Sequence, residues 1–282
     1  MRRSDRAPTN PAEAPANAVA ADAAWRDSAA LYSAFAPRWD ECFDAANHRN
    51  AYELLAWEYL CGILPPAPAV VVDVGCGTGR WAAKFLALGH RVVGIEQAPE
   101  MVKAVQAKAL GAGMTLIAES MEDVVLPLAG ADLVVAMGSV QYARDPAAMI
   151  ARFASWTRPG GCVFVCVDSL VAVALELISL GRSEEALRIL GSRKGVFELD
   201  GHTADLHLHD RRGLEACFTA AGLVDLDCRG LLVTMSALGR EACNRALASD
   251  RAAFIELERE FSAFPALADA GKHLIACGRR PR

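Results

Sequence analysis

The segment VVDVGCGTGR, residues 71–80, constrains the fold more than any other part of the chain. It begins as an apolar, β-branched strand and turns, after Asp73, into a loop that contains Gly75, Gly77 and Gly79. Such a loop between a strand and a helix exposes backbone N–H groups and the positive end of the helix to a ligand. The segment therefore predicts a ligand-binding site at the carboxyl end of a strand in an α/β fold.

Other apolar segments alternate with helical ones along the chain. Strands are predicted at 69–75, 91–96, 114–119, 131–138, 161–168, 223–233 and 272–279. Helices are predicted near 79–88, 99–110 and 146–157. Continuous apolar strands that are separated by helices are typical of a mostly parallel sheet covered on both faces. The predicted architecture is a doubly wound α/β fold.

The segments outside this pattern define the predicted domain organisation. Residues 1–22, rich in alanine and proline, are predicted to form a flexible tail. Residues 23–66 are predicted to form a helical lid, because aromatic residues recur there at roughly helical spacing. Residues 67–282 form the predicted main domain, in which insertions at about 169–208 and 234–270 are expected to build a helical cap above the carboxyl edge of the sheet.

Two acidic side chains indicate which ligand the glycine loop binds. Glu96 ends the second predicted strand, where a carboxylate can accept hydrogen bonds from both hydroxyls of a ribose. Asp73 lies beside the loop, where it suits a cationic amino acid moiety and would repel a pyrophosphate. Since GTGRWA, from Gly77, also satisfies a dinucleotide pattern, an NAD(P)-dependent oxidoreductase remains an alternative.

Several motifs resemble those of the class I S-adenosylmethionine-dependent methyltransferases. They are VVDVGCGTGR, GIEQAPEMV, LIAESMEDVVLPLAGADLVVAMGSVQYARDPAAMI, RPGG and LEACFTAAGL. The resemblance covers about residues 69–235 and the final strand. It implies a seven-stranded, Rossmann-like sheet in the order 3-2-1-4-5-7-6 with the seventh strand antiparallel. It also implies S-adenosylmethionine as the cofactor and S-adenosylhomocysteine as its product.

The same resemblance implies which residues bind this cofactor. They are Asp73, Gly75, Cys76, Gly77, Glu96, Gln97, Glu119, Ser120, Met121, Met137 and Gly138. Asp73 and the glycine loop are expected to hold the methionine part, Glu96 the ribose, and the residues after the third strand the adenine. Cys76 is interpreted as a small packing residue of the loop, because transfer of a methyl group from a sulfonium needs no nucleophile from the protein.

The acceptor side is predicted from residues near the lid and the fourth strand. Tyr32 and Trp39 are expected to close over the cofactor, since the tyrosine followed by APRWD is similar to the lid of many small-molecule methyltransferases. Ser139 and Tyr142 follow the fourth strand and are expected to contact the acceptor. A capped pocket favours a small acceptor, including a secondary metabolite or the tail of a peptide, over a large folded one.

His207 and His209 are the candidates for a base at the acceptor. They flank Leu208 in an extended segment, so that both imidazoles face the same side, and histidine accepts protons near neutral pH. Two alternatives remain: a zinc site, which would need further ligands, and a structural role, with Asp210 capping the next helix. No metal is predicted.

The composition indicates which partners and which cellular location are expected. A net charge of -5 gives no general attraction to nucleic acid, and no apolar run is long enough to span a membrane. Nine scattered cysteines without a CxxC pair are typical of a reduced, cytoplasmic protein. The predicted function is a cytoplasmic methyltransferase that acts on an oxygen or nitrogen of a small molecule. The alternative within the same fold is a module that binds S-adenosylmethionine without catalysis.

Overall fold

The computed structural model describes residues 24–44 and 47–282, so the predicted tail at residues 1–22 lies outside the described residues. Within the described residues, the chain forms nine strands. They are β1 (Val70–Val74), β2 (Arg91–Ile95), β3 (Met114–Ile117), β4 (Ala131–Met137), β5 (Thr157–Asp168), β6 (Lys194–Leu199), β7 (His202–His207), β8 (Val224–Leu231) and β9 (His273–Arg279).

The same described ranges contain eleven α-helices and two short 3-10 helices, Val140–Tyr142 and Pro265–Ala270. The α-helices are α1 (Ala29–Asp44), α2 (His48–Ile63), α3 (Arg80–Ala87), α4 (Pro99–Ala107), α5 (Pro146–Trp156), α6 (Leu170–Ser179), α7 (Ser183–Ser192), α8 (Arg211–Ala220), α9 (Val233–Leu238), α10 (Arg240–Ser249) and α11 (Arg251–Ser262). In this part of the chain, no helix is both long and apolar enough to cross a bilayer.

Seven of these strands form one sheet in the order β3-β2-β1-β4-β5-β9-β8. Strands β1 to β5 are parallel, whereas β9 is antiparallel to both of its neighbours. The predicted fold class is confirmed. The strand numbers differ from the predicted 3-2-1-4-5-7-6 because a separate hairpin, β6-β7, precedes the last two sheet strands in the chain. When only the seven strands of the sheet are numbered, their order is the predicted one.

Local sequence explains where the central elements begin and end. Three of the four valines of β1, namely Val71, Val72 and Val74, are buried, which suits a strand covered on both faces. Helices α5, α6 and α8 each begin at a residue whose side chain caps the helix. Asp145 accepts a hydrogen bond from the Ala148 N–H at 3.0 Å, Ser169 from the Ala172 N–H at 3.3 Å, and Asp210 from the Gly213 N–H at 2.7 Å. The predicted capping role of Asp210 is therefore confirmed.

The insertion at 169–208 consists of helices α6 and α7 and the hairpin β6-β7, so it is only partly helical. It shares an apolar cluster with α1, to which Leu31 and Phe35 contribute on one side and Val173 and Leu206 on the other. The segment before α1 is held to the hairpin by Arg26, whose guanidinium lies 2.5 Å from the buried carboxylate of Asp205. The N-terminal lid and this insertion thus form one continuous layer.

The insertion at 234–270 packs elsewhere. Its helices α10 and α11 contact α2, and α11 also contacts β8. Apolar residues of this insertion, including Met235, Leu247 and Phe254, belong to the same buried cluster as Leu55 of α2. This packing adds α10 and α11 to the helical layer that contains α2 and buries one face of α2.

Candidate functional site

A cavity of about 220 Å³ lies at the carboxyl edge of the parallel strands, beneath α1. Most of the residues predicted from the sequence line it. They are Tyr32, Trp39, Gly75, Gly77, Glu96, Gln97, Glu119, Met121, Met137, Gly138, Ser139 and Tyr142. The strands β1 to β4 bring these residues together because they run parallel and end at the same edge. Five predicted residues do not line the cavity: Asp73, Cys76, Ser120, His207 and His209.

The glycine loop after β1 forms one wall of this cavity. The N–H groups of Gly75 and Cys76 donate to the carbonyl of Ile95 at 2.8 and 3.0 Å, which fixes the loop against β2. Gly75 has a φ of +69°, and a Cβ at this position would lie 2.4 Å from the Cβ of Ser139. Both observations require glycine, since the backbone conformation and the available space exclude a side chain.

Glu96 holds the loop from the opposite side. Its Oε2 accepts from the Gly77 N–H at 2.8 Å, and its Oε1 accepts from the Ala98 N–H at 2.8 Å. Burial raises the pKa of this carboxyl, while the bonds from Ala98 and Gly77 act in the opposite direction without cancelling the effect. Because each carboxylate oxygen can accept more than one hydrogen bond, Glu96 keeps acceptor capacity on the cavity side.

Asp73 lies in β1 behind the cavity wall rather than in it. Its side chain is 1% exposed, and neither carboxylate oxygen has a hydrogen-bond partner among the described residues. Burial and the nearby charge of Glu96 raise the pKa of this carboxyl to about 7. The Asp73 side chain therefore does not reach the cavity, where direct contact with a ligand was expected. Any effect of Asp73 on a bound cation acts through the glycine loop.

Two further residues predicted to bind the cofactor lie outside the cavity lining. Cys76 is buried, with its sulfur close to Gly94 of β2, where an added Cβ would lie 2.9 Å away. The packing role predicted for Cys76 agrees with this position. Ser120 uses its hydroxyl to accept from the Glu122 N–H at 3.2 Å, and its carbonyl accepts from Val124 at 3.1 Å. It stabilises the turn after β3 instead of facing the cavity.

Helix α1 closes the cavity from above. The Tyr32 hydroxyl donates to that of Tyr142 at 3.0 Å, and the Tyr32 ring packs edge-on against Trp39 with centroids 5.6 Å apart. Asp40 ties the helix to the glycine loop because it accepts from the Thr78 hydroxyl at 2.6 Å. The lid is therefore attached to the same loop that forms the cavity wall.

The prediction that His207 and His209 face the acceptor is wrong. Leu206 and Leu208 line the cavity, and because side chains alternate along extended backbone, the two histidines face away from it. The His207 ring stacks on Trp25 with centroids 4.8 Å apart, and its Nε2 lies 3.2 Å from the Arg144 carbonyl.

His209 is also unsuited to be a base. Its side chain is buried, and burial lowers the pKa of its imidazole to about 4. The alternative of a zinc site gains no support, since no group of three or more potential metal ligands occurs in residues 24–44 and 47–282. His209 has instead the structural role that the sequence left open, beside Ser169 at the start of α6.

The insertion at 234–270 contributes no lining residue among those described, so the prediction that it caps the site is wrong. Its helices cover α2 because their apolar faces match the cluster around Leu55 and Leu60. The insertion at 169–208 does line the cavity, through Val173 and Glu176 of α6 and through the hairpin.

The structure adds a polar cluster that the sequence reasoning missed. Asp168 ends β5 and His273 begins β9, and both line the cavity. His273 Nδ1 lies 2.9 Å from Asp168 Oδ1, and Gln141 Nε2 donates to Asp168 Oδ2 at 3.0 Å. Burial opposes ionisation of Asp168, but the hydrogen bond and charge of His273, together with Lys272 and Gln141, outweigh it and lower the pKa of the carboxyl. The sequence signal that could have revealed this cluster is Asp168, an acidic residue at the end of the fifth predicted strand.

Comparison with known proteins agrees with this arrangement. A family model described as "Methyltransferase domain" matches residues 71–161. The chain is 33% identical, over 162 residues, to a ubiquinone biosynthesis O-methyltransferase of Xanthomonas axonopodis pv. citri, which covers 56% of this chain and 67% of that relative. A protein of the same name from Xanthomonas euvesicatoria pv. vesicatoria is 32% identical over 162 residues, with the same coverage.

Solved structures show the same fold. An S-adenosylmethionine-dependent methyltransferase from Mesorhizobium loti has a TM-score of 0.55 at 16% identity, and the match covers 80% of this chain and 98% of that one. A methyltransferase from Thermotoga maritima, described as a possible histamine N-methyltransferase, has a TM-score of 0.58 at 14% identity. The match covers 89% of this chain and 99% of that one. With its glycine loop, its sheet and these relatives, the chain belongs to the class I S-adenosylmethionine-dependent methyltransferases.

Proposed function

We propose that this methyltransferase methylates an oxygen or nitrogen of a small molecule, and that its preferred acceptor atom is the hydroxyl oxygen of an aromatic ring. The observation that carries the proposal is one cavity that contains both the glycine loop and the polar cluster of Asp168 and His273. Its remaining walls are largely aromatic and aliphatic, which suits a flat apolar acceptor with one polar group. The relatives named O-methyltransferases support oxygen over nitrogen.

Several features of the cavity fit S-adenosylmethionine. Gly75 and Gly77 leave room for close approach of a ligand to the backbone, and Glu96 offers acceptor capacity for ribose hydroxyls. The unpartnered carboxylate of Asp73 behind the loop favours a cation, such as the ammonium of an amino acid, on the other side. When bound, the cofactor supplies an electrophilic methyl group.

Other cavity residues would complete this binding site. Gln97 follows Glu96, and Glu119 and Met121 follow β3, so these side chains suit the adenine end. Met137 is the last residue of β4 and Gly138 follows it, between the glycine loop and the acceptor side. Tyr32 and Trp39 of the lid would exclude water from the space between the two ligands, which strengthens the electrostatic interactions inside it.

We expect Glu96→Ala to weaken binding of S-adenosylhomocysteine by about 100-fold or more. The substitution removes the charged acceptor for the ribose hydroxyls, and each hydrogen bond lost to a charged group costs about 1.5–3 kcal/mol. It also releases the loop that Glu96 holds through the Gly77 and Ala98 N–H groups. Isothermal titration calorimetry measures the change. The matched control is Glu100→Ala, because Glu100 is an exposed glutamate in the first turn of α4. Affinity within about threefold of wild type in Glu96→Ala would contradict the assignment.

The function itself is tested by transfer of a radiolabelled methyl group. We expect the purified full chain to label at least one member of a panel of catechols and hydroxybenzoates, with S-adenosylhomocysteine as the second product. Turnover separates an enzyme from a module that only binds the cofactor, and calorimetry with NAD(H) tests the dinucleotide alternative. Labelling of amines alone would move the acceptor from oxygen to nitrogen. Cofactor binding without labelling of any acceptor in the panel would contradict the proposal.

A further inference from the structure

The antiparallel strand β9 brings a histidine to the ligand-binding edge of the sheet. Strands β1 to β5 end at this edge, whereas β9 begins there because it runs in the opposite direction. Asp168, the last residue of β5, and His273, the first residue of β9, are direct partners in the strand pairing. The sheet backbone itself therefore holds the two side chains side by side.

The hydrogen bonds of the pair orient the imidazole. His273 Nδ1 lies 2.9 Å from Asp168 Oδ1, so Nε2 is the ring nitrogen that remains for a ligand in the cavity. Asp168 is itself fixed, since Gln141 donates to its other oxygen at 3.0 Å and accepts from its backbone N–H at 2.7 Å. The ring of Tyr52 packs against the imidazole with centroids 4.7 Å apart.

We propose that His273 is the base that removes the proton from the acceptor hydroxyl through Nε2, and that Asp168 is its positioning residue. This inference rests on the proposed function, namely methylation of a hydroxyl. A phenol with a pKa near 10 is largely protonated at neutral pH and gains nucleophilicity when a base takes its proton. Histidine, with a pKa near 6.5, is suited to this step.

The proposed step balances as follows. The O–H bond of the acceptor breaks, its proton forms a bond with Nε2, and the electron pair left on oxygen forms the new bond to the methyl carbon. The electron pair of the broken bond between that carbon and sulfur stays on sulfur. The imidazolium is stabilised by the ionised carboxylate of Asp168 and later gives its proton to water.

Other cavity side chains are less suited to this role. His48, the second histidine lining the cavity among the described residues, is buried and has its Nδ1 3.1 Å from Asn244 Oδ1. Tyr32 and Tyr142 donate and accept within their own pair, and burial raises the pKa of both phenols, so that they stay protonated. Glu176 is paired with Lys272 at 3.0 Å.

The test compares two acceptors that differ in acidity. Catechol is largely protonated at about pH 7, whereas a nitrocatechol with two nitro groups is almost fully ionised there and needs no base. We expect His273→Gln to lower kcat for catechol by about 100-fold or more and for the nitrocatechol by less than about threefold. Asp168→Asn keeps an acceptor for Nδ1 but removes the charge, and we expect about a tenfold loss that is again confined to catechol.

The controls separate chemistry from folding and from the proposed function. His207→Ala, which changes a histidine outside the cavity, should keep wild-type rates on both acceptors. Melting temperature and affinity for S-adenosylhomocysteine show whether each variant is folded, and Asp168→Asn serves if His273→Gln is not. Equal losses on both acceptors, or no loss, would overturn the base while leaving the proposed function intact. A wild-type protein that methylates neither acceptor would overturn the hydroxyl acceptor and the base together.

Discussion

Asp73→Asn is expected to stabilise the cofactor-free protein at about pH 8 by about 4 kcal/mol, and to leave it nearly unchanged near pH 4. The Asp73 carboxyl is buried without a hydrogen-bond partner among the described residues, and burial together with Glu96 raises its pKa from 3.8 to about 7. Between these two values the folded state binds a proton that the unfolded state has released. Its contribution to stability is therefore complete below the lower pKa and is lost as the pH rises through about 7.

Urea denaturation of both proteins at several pH values measures this difference. Groups far from Asp73 titrate alike in both proteins and cancel when the two are compared at each pH. Asparagine has nearly the same shape as aspartate and does not ionise, so the difference reports the titration of Asp73 together with its coupling to Glu96. A difference that does not change between about pH 4 and about pH 8 would contradict the raised pKa.

The cofactor should reduce this stability difference between Asp73→Asn and wild type. A cationic amino acid moiety on the other side of the loop stabilises the ionised form of Asp73, so saturating S-adenosylhomocysteine should reduce the advantage of Asp73→Asn at about pH 8. The ionised carboxylate of Asp73 would then destabilise the protein without ligand, and the bound ligand would offset this destabilisation. If the variant binds S-adenosylhomocysteine as tightly as wild type, Asp73 does not interact with the ligand through the loop.

Local sequence predicted the elements that form the cofactor side of the cavity. The glycine loop, Glu96 and Gly138 each follow a strand whose apolar residues and end are visible in the sequence. The carboxyl ends of parallel strands meet at one edge, so the positions of these residues follow from the fold class alone. Even here, the sequence predicts that Asp73 holds the methionine part of the cofactor, whereas its side chain lies behind the cavity wall. A strand's sequence does not tell which face a residue near its end will occupy.

The acceptor side depends on contacts between distant segments. His207 and His209 were correctly placed on one side of an extended segment, but the packing of the hairpin against α1 turns Leu206 and Leu208 to the cavity instead. His273 falls in the last predicted strand, residues 272–279, and nothing in that segment marks it as a site residue. Its position at the edge follows only from the reversed direction of β9, which pairs residues about a hundred positions apart.

We expect Gly75→Ala to destabilise the folded protein by about 2–5 kcal/mol and to remove measurable binding of S-adenosylhomocysteine. A non-glycine residue at a φ of +69° costs about 1–2 kcal/mol. The new Cβ would also lie 2.4 Å from Ser139 Cβ, and such overpacking costs about 1–3 kcal/mol more. Ser139 cannot easily move away, because its hydroxyl donates to the Val74 carbonyl.

Gly138→Ala is the matched control that separates the two costs. Gly138 has a φ of +76°, but apart from its chain neighbours no heavy atom of the described residues lies within 4 Å of an added Cβ. This variant should therefore lose only the backbone contribution of about 1–2 kcal/mol. Removal of the obstacle by Ser139→Gly should then recover about 1–3 kcal/mol in the Gly75→Ala background and not in wild type. Urea denaturation of these four variants, including the double substitution, measures the coupling. Equal destabilisation by Gly75→Ala and Gly138→Ala would show that the glycine loop moves to relieve the contact with Ser139. Close packing against the end of β4 would then not explain why residue 75 is glycine.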